Sequence, residues 1–156
     1  MSRLLLLRHA KAEHTAGVAD VDRALTGKGR AQATAVGTLL GREETVPDHV
    51  ICSPSQRTRQ TLDHVVAELP SAPTVDYAEP VYTGAPDDIF ELINMVDPEV
   101  ATLMVVGHNP TISELAATFF ERPETVSLST AGVAVVEMAV SWLYAAPGTG
   151  TGRLLT

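Results

Sequence analysis

Cysteine, aromatic side chains, positive charge and long apolar runs are all scarce in this sequence. Cys52 is the single cysteine among 156 residues, which excludes an internal disulfide framework and a multi-cysteine zinc site. A reducing, cytoplasmic setting is the expectation. No stretch supplies the roughly 20 apolar residues of a membrane span; the best candidate, "AGVAVVEMAVSWLYAA", contains Glu137. The leucines near the amino terminus stop at Arg8 after four residues, short of the roughly 7 to 15 of a signal-peptide core, so no secretion signal is expected. A net charge of −8 argues against nucleic acid as a partner. Together these absences predict a soluble protein that binds neither membrane nor nucleic acid.

What is present suits a packed domain. Hydrophobic residues make up 45% and charged residues 19% of the chain, ordinary globular values, and the length fits a single domain over 1–156. The few cations are unevenly placed. Nine of the eleven Lys and Arg residues lie in positions 1 to 60 against six acids, so that segment is +3 and the remainder −11. Scattered surface charge would give the same count, so the motifs must decide.

Strand-like and helix-like segments alternate along the chain. "RLLLL", "HVICS" and "ATLMVVGH" read as buried strands, "TVDYA" as an edge strand, and "VAVVEMAV" and "RLLT" as late strands. "TGKGRAQATAVGTLLGREE" is a helix capped by Thr26. "PSQRTRQTLDHVVAELP" follows with Ser53 as N-cap, Pro54 at the first helical position and Gln56 closing a capping box. "PDDIFELINMV" has Asp87 and Asp88 in its first turn, and "NPTISELAATFF" opens either at Asn109 and Pro110 or on a Thr111 and Glu114 box. The tail "APGTGTGR" reads as a turn or loop. This alternation predicts an α/β domain with helices on a largely parallel sheet.

Three strand-to-loop junctions carry the unusual residues: Arg8 and His9, the segment from Ser53 to Arg57, and His108. The carboxyl ends of parallel strands share one edge, so two arginines and two histidines converge there. Helix amino termini at two of the junctions add N–H donors, and the implied ligand is a phosphoryl group. Each residue alone has a plainer reading, His108 as a structural hydrogen-bonder and Arg57 as a surface residue. Other phosphate chemistries fail on spacing. A cysteine-based phosphatase loop needs five residues between cysteine and arginine, whereas Cys52 is followed by Arg57 after four and Arg59 after six. The Walker loop is absent, and Gly27 and Gly29 of "GKGRAQ" mark a helix entry rather than a dinucleotide site. There is no His-Glu-x-x-His and no Gly-x-Ser-x-Gly. His14 and His49 read as exposed loop residues and His64 as a helix-surface one. Neither metal nor cofactor is expected, and Cys52 reads as a small apolar side chain.

Arg8-His9-Ala10 resembles the Arg-His-Gly signature of the histidine phosphatase (phosphoglycerate-mutase-like) superfamily. "DRALTGKGRAQA", "CSPSQRTRQT" and "VVGHNP" resemble its later blocks in the same order, and the short chain looks most like the SixA-type phosphohistidine phosphatase branch. The resemblance implies a three-layer α/β/α sandwich and a metal-independent phosphatase working through a covalent phosphohistidine. His9 would be the nucleophile, with Arg8, Arg57 and His108 binding the phosphoryl oxygens. Glu79 is the candidate proton donor, although "DYAE" reads equally well as surface. Asp22 and Arg23 would shape the adjoining loop, with Lys11 and Thr15 at the rim. Ala10 departs from the usual glycine, which puts loop freedom in question. Only "EPVYTGAP" separates the third strand from the next helix, implying an open site suited to a phosphorylated protein, with a small phosphorylated compound as the other substrate. The rival readings are a non-catalytic phosphoprotein-binding module and a small-metabolite phosphatase.

Overall fold

In the computed structural model, which describes residues 2–156, the elements run β1 (Arg3–Arg8), α1 (Gly27–Arg42), β2 (His49–Cys52), α2 (Gln56–Ala67), β3 (Thr74–Tyr77), α3 (Glu79–Thr83), α4 (Pro86–Asn94), β4 (Thr102–Gly107), α5 (Thr111–Ala117), β5 (Val133–Met138) and β6 (Gly150–Leu154). The strands form one sheet in the order β3-β2-β4-β1-β5-β6. The four strands from β3 to β1 are parallel, and β5 and β6 add an antiparallel flank. The predicted α/β/α sandwich with a mostly parallel sheet is therefore the observed fold.

Four successive leucines can be buried only where both faces of a strand are covered. Alternate side chains of β1 point to opposite faces. Leu4 and Leu6 join Ile89, Phe90, Ile93, Ile112 and Leu115, whereas Leu5 and Leu7 join Ala33, Val36, Leu40, Leu62 and Val65. Helices α4 and α5 thus cover one face and α1 and α2 the other. Fully burying one leucine contributes about 1.5–3 kcal/mol, so this strand anchors both halves. Helices α1 and α2 approach closely at Gly37, where a Cβ would stand 2.4 Å from the Val65 carbonyl oxygen.

Register places the functional edge. Arg8 pairs with Gly107 and Cys52 with Val106, so β1, β4 and β2 end nearly level. The residues just beyond those ends, His9, His108 and Ser53, emerge side by side.

Several local expectations are corrected. Helix α2 starts at Gln56, and its N-cap is Ser55, whose Oγ accepts from Thr58 N. Ser53 does not cap it because its hydroxyl lies 2.7 Å from His108 Nε2 and accepts from Ser55 N. "EPVYTGAP" is not merely a connector, since Glu79–Thr83 forms α3 with Pro80 near its start. Helix α5 begins after Pro110 without a side-chain cap, because Asn109 is occupied elsewhere. His49 opens β2 and lies beside Thr74 and Asp76 rather than in a loop. The glycine-rich tail joins the sheet as β6 from Gly150. Thr26 caps α1 as expected, accepting from Gly29 N at 2.9 Å.

Candidate active site

His9 sits just past β1, where its N–H donates to the Gly107 carbonyl at 3.0 Å and its own carbonyl accepts from Ala131 N at 3.1 Å. Its Nδ1 lies 2.8 Å from the Ala10 carbonyl oxygen. A carbonyl can only accept, so Nδ1 carries the proton and the lone pair is on Nε2. The residue is 9% exposed, and burial, followed by the charges of Arg57, Arg8 and Arg23, lowers the ring pKa to about 4 against the Ala10 contact that raises it. The imidazole is neutral at pH 7 and holds a free nitrogen.

Ala10 takes its place without a glycine's freedom: it is fully buried, is not among the residues with positive φ, and its N–H donates to Thr61 Oγ1 at 3.0 Å. Thr61 in turn donates to the Arg57 carbonyl at 2.7 Å, tying the loop after β1 to α2.

His108 follows β4. Its ring centroid is 5.3 Å from that of His9. Its Nε2 meets Ser53 Oγ at 2.7 Å while Nδ1 is buried without a partner among the described residues. Burial, then Arg57 and His9, depress its pKa to about 3. Tyr82 of α3 packs edge-on against it at 5.4 Å.

The guanidinium groups are held by the backbone and one carboxylate. Arg8 Nη1 donates to the Leu128 carbonyl at 3.1 Å, and Asn109 Nδ2 donates to the same oxygen at 2.8 Å. Arg57, 6% exposed, donates from Nη1 to the Asp20 carbonyl at 2.7 Å and from Nη2 to Asp20 Oδ2 at 3.0 Å. Asp20 also accepts from Tyr82 OH at 2.6 Å and from Arg23 Nη1 at 3.1 Å. The Tyr82 hydrogen bond, with those of Arg23 and Arg57, holds the Asp20 carboxyl well below the usual carboxylate range. Both Arg8 Nε and Arg57 Nε are buried without a partner among the described residues. Unpaired buried donors are costly, and these, with His108 Nδ1, are the type of group that an anion satisfies.

Arg8, His9, Arg57 and His108 line one cavity of about 550 Å³ together with Lys11 and Arg23. Thr15 does not; it lies with Asp20 in a neighbouring depression. Glu79 heads α3, is exposed, and is not among the residues lining the cavity. Asp22 and Arg23 are the loop-shaping residues expected from the sequence, but the carboxylate that meets Arg57, Arg23 and Tyr82 is Asp20. "DVDR" offers both acids, and nothing local distinguishes them. Tyr82 and Lys28 were also missed, whereas Ser53 was noticed for a different role. Cys52 is buried and does not line the cavity, and burial pushes its thiol up to about 12, the setting of an inert structural cysteine.

A neutral imidazole nitrogen thus shares one cavity with two guanidinium groups at the carboxyl ends of the parallel strands, a set of groups suited to an anion. The chain belongs to the histidine phosphatase superfamily (branch 1), whose pattern matches residues 4–78. It is 38% identical to an uncharacterised protein of Mycobacterium tuberculosis over 91% of this chain and 93% of that one. A Nakamurella multipartita protein assigned as phosphohistidine phosphatase SixA has a similar structure, with a TM-score of 0.85 and 30% identity over 99% of this chain and 94% of that one. An Agrobacterium tumefaciens protein with the same assignment gives a TM-score of 0.80 and 26% identity over 99% and 96%. Family and neighbours support phosphatase activity.

Proposed function

We propose that the chain removes a phosphoryl group from phosphohistidine or another phosphomonoester through a covalent intermediate on His9. The observation that carries this reading is the Nδ1 contact of His9 with the Ala10 carbonyl at 2.8 Å, which leaves Nε2 unprotonated inside a cationic pocket. Nε2 attacks phosphorus, the bond from phosphorus to the leaving oxygen or nitrogen breaks, Arg8 and Arg57 offset the charge on the remaining oxygens, and His108 contributes a hydrogen bond to them. Water then attacks the phosphorus of phospho-His9, releasing orthophosphate and restoring the imidazole.

The reading assigns no step to a metal ion, because the Arg8 and Arg57 guanidinium groups supply the charge compensation. Glu79 lies outside the cavity lining but close enough to Tyr82 to act on its charge, and from there it is the proposed proton donor to an alkoxide leaving group that projects from the cavity. A histidine-borne phosphoryl group needs it less, since that imidazole leaves neutral once protonated. The substrate is a phosphorylated protein or a small phosphorylated compound rather than nucleic acid or a lipid surface, and the free thiol of Cys52 suits a reducing cytoplasm. Among the described residues no helix is long and apolar enough to cross a membrane.

The test is adduct trapping with a labelled phosphohistidine peptide and an alkyl phosphate in the presence of chelator. Wild type forms an acid-labile adduct on both substrates, and His9→Ala forms none. Glu79→Gln slows adduct formation from the alkyl phosphate by about 10²-fold or more and hardly affects the peptide. Turnover by His9→Ala at the wild-type rate refutes the covalent route. An equal loss on both substrates removes Glu79 as the acid.

A further inference from the structure

We propose that the site takes phosphoryl groups carried beside a second anionic group, which Lys11 and Lys28 bind at the mouth of the cavity. This rests on the phosphatase reading and goes beyond it by naming the chemistry of the carrier. Arg8, Lys11, Arg23, Lys28 and Arg57 all line the cavity, and among the described residues no carboxylate does. Asp20 pairs with Arg57 and Arg23, but Arg8, Lys11 and Lys28 have no ion pair among the described residues. A phosphomonoester brings about −1.5 to −2 charges near pH 7. With Asp20 it offsets about three of the five cations, leaving roughly two for another part of the ligand.

The excess stands in an acidic chain of net charge −8, so overall composition does not account for it. Its position also runs against local preference. The first turn of α1 includes Lys28 and Arg30 and no acid, although the positive end of the helix dipole favours acids there. Lys11 is held onto the start of the same helix. Its N–H donates to Gln32 Oε1 at 3.0 Å, and its carbonyl accepts from Thr26 N at 2.9 Å. At Gly29 a Cβ would stand only 2.0 Å from the Lys11 carbonyl oxygen; a glycine is what permits this approach. The two lysines are thus anchored on touching backbone segments while their side chains are exposed. The cavity volume of about 550 Å³ falls in the range of about 300–1,000 Å³ of sites that enclose whole small molecules, so a phosphoryl group alone underfills it.

The same chemistry is offered by acidic side chains flanking a phosphohistidine and by a carboxylate on a small phosphate ester. Two probe pairs distinguish the sources: phosphohistidine peptides with flanking Asp and Glu or with Asn and Gln, and 4-carboxyphenyl phosphate or 4-carbamoylphenyl phosphate. The readout is the ratio of kcat/KM within each pair, so a general loss in a variant cancels. Wild type favours the anionic member by about tenfold at low ionic strength, a preference that shrinks with salt. Lys11→Gln combined with Lys28→Gln brings the ratio close to one. Preference in the peptide pair alone assigns the anion to a protein carrier, in the small-molecule pair alone to a metabolite, and in both to any neighbouring anion. A wild-type ratio near one in both pairs, or a preference unchanged in the double variant, overturns the proposal. Calorimetric binding of the same pairs to His9→Ala reads the preference without turnover. Failure to hydrolyse any probe therefore refutes the phosphatase reading separately from the charge preference.

Discussion

Lowering the pH from 7 to 4 tests the electrostatics of the pocket directly. An ordinary imidazole with a pKa of about 6.5 is only about 10% neutral at pH 5.5. His9, whose pKa burial and then Arg57, Arg8 and Arg23 bring down to about 4, stays almost wholly neutral there. In the unfolded chain His9 takes up its proton near pH 6.5, whereas the folded protein resists until about pH 4. Between those values the unfolded state binds more protons, so the contribution to stability is intact above pH 6.5 and is lost as pH falls. At about 1.4 kcal/mol per pKa unit, the loss from His9 is about 3 kcal/mol. His108, depressed to about 3 chiefly by burial, acts in the same direction and continues lower. Ring-proton NMR should show neither histidine titrating between pH 5 and 8. Urea unfolding should show a smaller fall from pH 7 to 4 in His9→Gln than in wild type, by about 3 kcal/mol. Orthophosphate should raise both ring pKa values, because an anion beside the rings favours their charged form. A His9 ring that titrates near 6.5, or equal falls in stability for the two proteins, refutes the buried neutral imidazole.

Arg8→Ala and Arg57→Ala should each lower kcat/KM by about 10²-fold or more, the scale for removing one preorganised charge-stabilising donor. Arg57→Lys should recover little, because an ammonium lacks the planar two-nitrogen fork that bonds the Asp20 carbonyl and its carboxylate at once; near-normal kcat/KM in Arg57→Ala refutes its role. Gly29→Ala should destabilise the protein by about 1–3 kcal/mol in urea unfolding, the usual cost of forcing atoms into filled space. An unchanged midpoint would mean that the contact between Lys11 and α1 is looser than the structure shows.

The buried leucine run of β1, the alternation of strands and helices, the Thr26 cap and the junction positions of Arg8, His9, Arg57 and His108 were all legible in the chain. Each depends on local periodicity or on the rule that parallel strands present their carboxyl ends on one edge. The partners of those side chains were not legible. Ser53 carries a good capping signal, yet its hydroxyl turns to His108, 55 positions away, and Ser55 takes the cap. "DVDR" offers two acids, and Asp20 rather than Asp22 meets Arg57, because the turn at residues 20–22 packs beside α2. Tyr82 reaches Asp20 only because the segment read as a connector coils into α3. Its neighbour Glu79 heads that helix, outside the cavity lining. Local signals determine which backbone conformation a segment favours, but a polar side chain with several partners in reach is committed by whichever one the completed packing brings within hydrogen-bond distance. That choice is made between distant segments, so only the tertiary structure decides it.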